Sequence, residues 1–315
     1  MIVCENLTRY FGSYAAVDNL NLSVPKGSVC ALAGPNGAGK TTTMRMLSTL
    51  LVPSCGRASV GGRDVQKDPE GVRRVIGYLP EAFQFYEDLS VERYLHFFAR
   101  AYDLDQCTAT DRITDFLERL GLAEKRDARI GTLSRGMRQR LGVAKSFLHD
   151  PEVVFLDEPA SGLDPVARTE LRDFLKYQQW MGKTVIVSSH VLKELADFCD
   201  YFAMVQHGRL VEFGPLTGVG GILAKYAESP ESGRRYTLRV LKDATRLEIF
   251  LKDCSGAGAV ERRDQTVSFE CDGEETAARI LAQIVGSGYL ITKFSPEEID
   301  LDHVYRKASA SADLN

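Results

Sequence analysis

Residues 34–42 read GPNGAGKTT and follow the apolar run VCALA at residues 29–33. Glycines on this spacing let backbone N–H groups turn toward phosphate oxygens, Lys40 adds a positive charge, and the Thr41 hydroxyl can ligate Mg²⁺. A helix that begins near Lys40 would direct its positive N-terminal end at the same oxygens. The pattern predicts a phosphate-binding loop rather than an ordinary glycine-rich turn. The expected phosphate-binding residues are Gly34, Pro35, Asn36, Gly37, Ala38, Gly39, Lys40, Thr41 and Thr42.

An acidic pair follows a second apolar strand, VVFLDEP at residues 153–159. Asp157 can hold Mg²⁺ through water, and Glu158 can polarise a water that attacks the terminal phosphate. Alone, two carboxylates after a strand would mark an ordinary passage into a loop. Together with the phosphate loop they predict hydrolysis of a nucleotide rather than binding alone, with Lys40 and Glu158 as catalytic residues.

The strand patterns predict the core of the fold. Some strands are apolar throughout, as in a parallel sheet covered on both faces; they are residues 28–34, 152–158 and 183–189. Earlier segments alternate apolar and polar residues and predict an antiparallel sheet; they are residues 1–11, 19–25 and 56–65. Residues 88–148 repeat apolar residues at helical spacing. We therefore expect an α/β fold: a P-loop NTPase core with an antiparallel β subdomain and a helical subdomain.

The C-terminal part of the chain has its own pattern. The polar, turn-rich stretch SPESGRR at residues 229–235 predicts a linker. Beyond it the order strand, helix, strand, strand, helix, strand is that of a small α+β, ferredoxin-like domain, with a last short helix near residues 300–307. The predicted organisation is a core at residues 1–214, a connecting segment at 215–235 and an accessory domain at 236–315.

Composition narrows the possible partners. The chain has 39 basic and 43 acidic residues, a net charge of −4, and no basic stripe, so nucleic acid is not favoured as a partner. Its 7 cysteines are scattered without a CxxC pair, which is typical of reduced thiols in a cytoplasm. No apolar run approaches the ~18 to 20 residues that cross a bilayer. Any role at a membrane is therefore expected to come through a partner.

A second candidate anion site lies in LSRGM at residues 133–137. Ser134 precedes a predicted helix and could be a plain N-cap. Ser-x-Gly at a helix start also offers a hydroxyl, a closely approaching backbone and the positive end of the helix dipole. Two phosphate-binding helix starts in one chain indicate that two chains share nucleotides.

With this motif the sequence resembles the ATP-binding subunits of ABC transporters. The family's motifs occur in order over residues 1–214: Walker A (GPNGAGKT), Q-loop (GYLPE), signature (LSRGM), Walker B (VVFLDE), D-loop (SGLD) and H-loop (SSH). The resemblance implies ATP and Mg²⁺ as cofactors and a head-to-tail dimer, expected to be a homodimer. It also implies that Ser134, Arg135, Gly136 and Met137 form the signature, with Ser134 and Gly136 contacting ATP held by the other cassette.

The sequence departs from the family pattern at two motifs. Arg135 and Met137 stand where the commonest signature has Gly and Gln. Glu81 stands where the family usually has the Q-loop glutamine. A carboxylate can still ligate Mg²⁺ but cannot donate a hydrogen bond to an attacking water, and Glu81 could also be a solvated loop residue. The expected metal ligands are therefore Thr41, Asp157 and Glu81.

Further roles follow from the resemblance. His190 would contact the γ-phosphate and position water beside Glu158, although a histidine after a strand can also be structural. Asp164 would make the D-loop contact across the dimer and is equally a good N-cap before Pro165. The aromatic that stacks on adenine maps to Phe11, with Tyr10 and Tyr14 as rivals.

The partner expected from the resemblance is an integral membrane permease. Loop aromatics Phe83, Phe85 and Tyr86 cannot all be buried by helix packing and would contact it, whereas Phe97 and Phe98 are expected in the core. The chain is most similar to cassettes of ABC-2 type exporters, peripheral on the cytoplasmic face of the membrane. The alternatives are a soluble ABC-type ATPase that acts on a ribosome or DNA, and a regulatory nucleotide switch.

Overall fold

The computed structural model describes residues 1–189, 198–217, 221–223, 234–296 and 304. Contacts divide the chain into two compact units, Met1–Ile222 and Leu223–Asp300, with Val304 grouped in the first. The division falls inside the predicted connecting segment 215–235. Residues 229–233 of the predicted linker lie outside the described residues, as does the predicted last helix apart from Val304.

A mixed six-stranded sheet forms the centre of the first unit, in the order β10-β9-β3-β8-β7-β6. All neighbours are parallel except β10 and β9. Strands β3, β7 and β8 are buried along their whole length, as their unbroken apolar sequences predict. The strands are β3 (Val29–Ala33), β6 (Ile76–Leu79), β7 (Val153–Asp157), β8 (Thr184–Ser189), β9 (Tyr201–Gln206) and β10 (Arg209–Pro215).

An antiparallel sheet in the order β2-β1-β4-β5 belongs to the same unit. Along β2, Leu20, Leu22 and Val24 are buried and the residues between them are exposed, as alternation predicts. These leucines share a core with Leu32 of β3 and Phe155 of β7. The strands are β1 (Ile2–Phe11), β2 (Tyr14–Val24), β4 (Cys55–Val60) and β5 (Arg63–Asp64).

Helices of the first unit begin at side-chain caps or at the phosphate loop. Ser90, Asp105, Ser134 and Asp164 each accept a hydrogen bond from a backbone N–H in the first turn of their helix. The predicted helical region 88–148 contains α3, α4 and α5. The helices are α1 (Lys40–Leu47), α2 (Pro69–Val75), α3 (Val91–Ala101), α4 (Gln106–Arg119), α5 (Arg135–Phe147) and α6 (Pro165–Trp180).

The expectation that Phe97 is part of the core is wrong. Its side chain is 50% exposed. The buried stripe of α3 runs through Val91, Tyr94, Leu95 and Ala99, and Phe97 projects from another side of the helix. Phe98, the next residue along the helix, is half-buried.

The second unit has the predicted order strand, helix, strand, strand, helix, strand. Its antiparallel sheet has the strand order β12-β13-β11-β14, and α7 and α8 supply Leu247, Leu251, Ile280 and Ile284 to a separate core. This is the ferredoxin-like arrangement that the sequence predicts. The elements are β11 (Arg234–Val240), α7 (Ala244–Lys252), β12 (Gly258–Arg263), β13 (Thr266–Cys271), α8 (Gly273–Gly286) and β14 (Ile291–Pro296). Among the described helices of both units, none has the length and apolar character needed to cross a membrane.

Candidate functional site

The loop between β3 and α1 requires glycine at both of its ends. Gly39, just before α1, has φ +103°, and a Cβ there would lie 2.5 Å from the Ala16 carbonyl oxygen. A Cβ at Gly34 would lie 2.1 Å from the carbonyl oxygen of Val205 on β9. Both contacts are with backbone, which cannot move aside as a flexible side chain would. The glycine spacing therefore fixes the course of the loop over the end of the sheet.

Lys40 is folded back onto the loop. Its Nζ donates hydrogen bonds to the carbonyl oxygens of Gly34 at 2.7 Å and Pro35 at 3.1 Å. Burial lowers the pKa of the Lys40 ammonium, and the nearby carboxylates of Glu158, Asp157 and Glu81 oppose this shift. The loop, its lysine and these acidic groups thus form one electrostatic cluster.

Asp157 ends β7 as a completely buried carboxylate. Its Oδ1 accepts a hydrogen bond from Ser188 Oγ on β8 at 2.5 Å. Its Oδ2 is buried and has no hydrogen-bond partner among the described residues. A buried carboxylate oxygen with unused lone pairs, together with the Thr41 hydroxyl, is a donor set that fits the hard cation Mg²⁺.

Glu158 has a strained backbone next to this carboxylate, with φ +51°, a region that costs non-glycine residues about 1–3 kcal/mol. Two neighbours hold it there. Its N–H donates to Ser188 Oγ at 2.9 Å, and its carbonyl accepts from Gln139 Nε2 on α5 at 3.2 Å. Neither Ser188 nor Gln139 is among the residues that sequence reasoning selects. The signal for Ser188 is a hydroxyl at the end of an otherwise apolar strand.

Most of the residues that are predicted to bind the nucleotide line one cleft of about 440 Å³. It is lined by aromatics from β1 and β2, by residues 36–42 of the loop, and by acidic side chains. The lining residues outside the loop are Phe11, Tyr14, Ala16, Glu81 and Glu158. Glu81 thus lines the cleft and is exposed to solvent there, so its role as a metal ligand stays a prediction.

Phe11 and Tyr14 both lie at the mouth of this cleft, and Tyr10 does not line it. Phe11 is 48% exposed, with the Arg9 guanidinium 4.9 Å from its ring centroid. Tyr14 Oη donates a long hydrogen bond of 3.5 Å to the Gly37 carbonyl. The structure thus reduces the aromatic candidates to Phe11 and Tyr14.

The signature residues begin α5 and contact the D-loop rather than lining the nucleotide cleft. Ser134 Oγ accepts a hydrogen bond from Met137 N at 3.2 Å, as an N-cap does. Arg135 Nη2 donates to Ser161 Oγ at 3.4 Å, and the same guanidinium lies over the backbone of Gly162. The unusual arginine of the signature therefore packs on the D-loop.

Asp164 caps α6, since its Oδ1 accepts from Ala167 N at 2.9 Å and this hydrogen bond lowers the pKa of the carboxyl. Its predicted contact across a dimer stays a prediction. His190 lies outside the described residues.

A second cleft, of about 690 Å³, lies between the segment after β6 and the start of α5, and Glu81 lines both clefts. Phe83 and Phe85 line it and are half-buried. The Phe83 ring lies so close to Gly142 of α5 that a Cβ there would be 2.8 Å away. Tyr86 is 58% exposed and packs edge-on against Phe97 at 5.7 Å. The loop aromatics are not all buried, as expected, and Tyr86 is the most accessible.

Comparisons match this chain to ABC transporter proteins. The ABC transporter family model matches residues 17–161. The probable multidrug ABC transporter ATP-binding protein YbhF of Escherichia coli is 38% identical over 214 residues, which cover 68% of this chain and 37% of that protein. The chain thus spans little more than a third of YbhF.

Two further proteins are matched over most of their own lengths. The bacitracin transport ATP-binding protein BcrA of Enterococcus faecalis is 30% identical over 308 residues, covering 98% of this chain and 96% of that protein. A solved ATP-binding subunit of an ABC transporter superposes with a TM-score of 0.66 at 29% identity, over 72% of this chain and 93% of that chain. The fold, the motif residues around the cleft and a relative matched over nearly its whole length agree: this chain belongs to the ATP-binding proteins of the ABC transporter family.

Proposed function

We propose that the chain hydrolyses ATP with Mg²⁺ as a homodimer and thereby powers a separate membrane permease of the export type. The observation that carries the proposal is a single cleft that contains the phosphate loop and Glu158, next to the buried, half-unpaired carboxylate of Asp157. A nucleotide-binding protein without hydrolysis would not need an acidic residue held in a strained conformation at this position.

Binding is assigned to the loop and Lys40. Backbone N–H groups of residues 36–42 and the N-terminus of α1 bind the phosphates, and Phe11 or Tyr14 stacks on adenine. Lys40 now donates to the loop carbonyls of Gly34 and Pro35. In the bound state the Lys40 ammonium donates its hydrogen bonds to phosphate oxygens instead. Two neutral carbonyl acceptors are then replaced by charged phosphate acceptors.

Thr41, Asp157 and Glu81 are the residues that would hold Mg²⁺. When bound, Mg²⁺ supplies positive charge to the β- and γ-phosphate oxygens. Glu158 orients the attacking water and accepts its proton. Ser188 and Gln139 keep the Glu158 backbone in place, and His190 is proposed to contact the γ-phosphate.

A second copy of the chain completes the site in this proposal. Ser134 and Gly136 begin a helix whose positive end does not line the chain's own nucleotide cleft. A helix start with a free anion-binding face is suited to phosphates held by another cassette. Arg135 links this helix start to the D-loop, so both elements would meet the second copy together.

The proposed membrane partner follows from the relatives and from the exposed aromatics. YbhF and BcrA are named as multidrug and bacitracin transport ATP-binding proteins. Tyr86 and Phe97 form an exposed aromatic pair beside the cleft that Glu81 shares with the nucleotide site. Closure around ATP could therefore be transmitted to a permease, with the chain held at the cytoplasmic face of the membrane.

The test combines hydrolysis with partner capture. Purified protein should release phosphate from ATP only with Mg²⁺, and the rate per chain should rise with protein concentration as dimers form. A permease encoded beside this chain should copurify with it and raise its ATPase rate in proteoliposomes. Absence of hydrolysis, or exclusive association with ribosomes, would overturn the proposal.

A further inference from the structure

In the described part of the ferredoxin-like unit, helices cover one face of the sheet and no helix or strand covers the other. Tyr236, Leu238, Val267 and Phe269 point into the core beneath α7 and α8. The residues that alternate with them point to the opposite face. These open-face residues are polar or charged. They are not part of the hydrophobic core that the described residues of this unit form.

Basic residues form a row across the open face. Arg239 of β11 pairs in register with Lys293 of β14 and with Thr266 of β13, and Thr266 pairs with Arg263 of β12. Residues directly opposite in antiparallel strands share a face, so these side chains lie side by side. Arg239, Arg263 and Lys293, here called the basic row, are all exposed. Like charges directly opposite each other are destabilising, so the row does not serve the stability of the sheet.

The basic row has no acidic partner among the described residues. Neighbouring arginines are paired: Arg235 bridges to Glu261 at 2.7 Å, and Arg262 reaches Glu248 of α7 at 3.0 Å on the helical side. None of the ion pairs made within the described part of the chain includes a member of the basic row. Its positive charge is thus not neutralised by an ion pair with any residue that the structure describes.

Two exposed leucines lie at the same end of the sheet. Leu241 follows β11 and is 56% exposed, and Leu290 precedes β14 and is 65% exposed. The Leu241 N–H donates to the Leu290 carbonyl at 2.9 Å, so the two residues are neighbours. Leu241 stands two positions beyond Arg239, and Leu290 stands three positions before Lys293. Cations and apolar side chains are therefore presented at one edge.

We propose that this edge binds the surface of a bilayer that contains anionic phospholipids. The basic row attracts the lipid phosphates, and the leucine pair enters the boundary between headgroups and acyl chains, as basic and apolar residues do together in interfacial anchors. No residue of this edge lines the nucleotide cleft, so the proposed membrane contact is separate from the ATP chemistry.

A nucleic acid would fit this face less well. The next row of the sheet consists of Glu261, Ser268, Thr237 and Ser295. Single-stranded nucleic acids bind open sheets mainly by stacking bases on aromatic side chains, and this row has none.

The test uses the full chain and vesicles of phosphatidylcholine with or without about a third of phosphatidylglycerol. The protein should cosediment with the anionic vesicles, much less with the neutral ones, and more weakly at high salt because surface charges are then screened. Each basic residue near an anionic surface contributes about fivefold. The triple variant Arg239→Gln, Arg263→Gln, Lys293→Gln should therefore lose about 100-fold in binding.

A matched control removes the same charge from the helical side of the domain: Arg246→Gln, Lys252→Gln, Arg279→Gln. It should keep binding close to that of the parent. The double variant Leu241→Ser, Leu290→Ser should lose the part of the binding that survives high salt. Unchanged far-UV circular dichroism would show that the variants are folded.

Several outcomes would overturn the proposal. They are equal binding to neutral and anionic vesicles, equal losses in the triple variant and its control, and no vesicle binding by the parent. Tighter binding of a labelled single-stranded oligonucleotide than of vesicles, abolished in the triple variant, would assign the basic row to nucleic acid instead. None of these results depends on whether the chain hydrolyses ATP.

Discussion

The Ser188 hydroxyl lies 2.5 Å from Asp157 Oδ1 and donates a hydrogen bond to it. The Ser188 hydroxyl oxygen in turn accepts a hydrogen bond from the Glu158 N–H at 2.9 Å. One hydroxyl on β8 therefore orients the proposed metal ligand and fixes the strained backbone of the proposed base. Such supporting hydrogen bonds usually matter nearly as much as the ligands that they orient.

Ser188→Ala should lower the ATPase rate about 10- to 100-fold, the usual cost of losing a group that orients a metal ligand. It should also destabilise the fold by about 1–3 kcal/mol, because the buried Glu158 N–H loses its acceptor. Phosphate release and urea unfolding measure the two effects.

Ser28→Ala is the matched control, since Ser28 is also buried and its hydroxyl donates to the Pro25 carbonyl at 2.8 Å, at the start of β3. The control should lose stability but keep the ATPase rate of the folded protein. Equal losses of ATPase activity in the two variants would show that Ser188 has only a structural role.

Glu158→Gln should bind ATP and fail to turn it over. The amide keeps the shape of the side chain but cannot accept the proton of the attacking water. The nucleotide-bound dimer should then accumulate, visible by size-exclusion chromatography with light scattering in ATP and Mg²⁺. Full turnover in this variant would exclude Glu158 as the base.

Lys40→Ala should weaken nucleotide binding by about 10- to 100-fold, because hydrogen bonds from a charged donor are worth about 1.5–3 kcal/mol. Its folded stability should fall too, since Lys40 also ties down the carbonyls of Gly34 and Pro35. Titration with a fluorescent ATP analogue measures the affinity. Parent-like affinity would contradict the assignment of the phosphate loop.

Phe11→Ala should weaken ATP binding by the stacking contribution of about 1–3 kcal/mol, roughly 5- to 150-fold. Tyr10→Ala is the control: Tyr10 is similarly exposed, adjacent in sequence and absent from the cleft lining. It should bind ATP as the parent does. If Tyr14→Ala shows the larger loss, Tyr14 and not Phe11 holds the adenine.

Much of this fold could be predicted because its sequence signals are local. Unbroken apolar strands identify β3, β7 and β8, and alternation identifies the antiparallel sheet and the order of the ferredoxin-like unit. The glycine spacing likewise determines the phosphate loop, since two of its positions exclude a Cβ. A pattern that depends on neighbouring residues can be interpreted without tertiary structure.

The supporting contacts could not be predicted in the same way. Ser188 and Gln139 meet Glu158 only because β8 and α5 pack beside β7. The contact between Arg135 and Ser161 joins segments 26 positions apart. For Phe97 the sequence gives a wrong prediction. An aromatic residue in an amphipathic helix is expected in the core until the direction of the buried stripe is known.

The exposed aromatic pair gives the last prediction. Tyr86→Ser should weaken copurification with the permease and lower transport, while basal ATP hydrolysis and stability stay unchanged. Tyr86 is 58% exposed, and its ring lies beside the exposed Phe97 and the buried Tyr94. Phe83→Ala cannot serve this purpose, because Phe83 packs against Gly142 and its removal would disturb α5.

Trp180→Ser is the control, since Trp180 is 79% exposed at the end of α6 and lines neither cleft. Loss of an exposed aromatic there should leave permease association intact. If Tyr86→Ser and Trp180→Ser behave alike, the aromatic pair is not the docking site. A loss of permease association with Tyr86→Ser alone would instead place the permease beside the second cleft. Glu81 lines both that cleft and the nucleotide cleft. A movement of the segment after β6 would then affect the permease contact and the nucleotide site together.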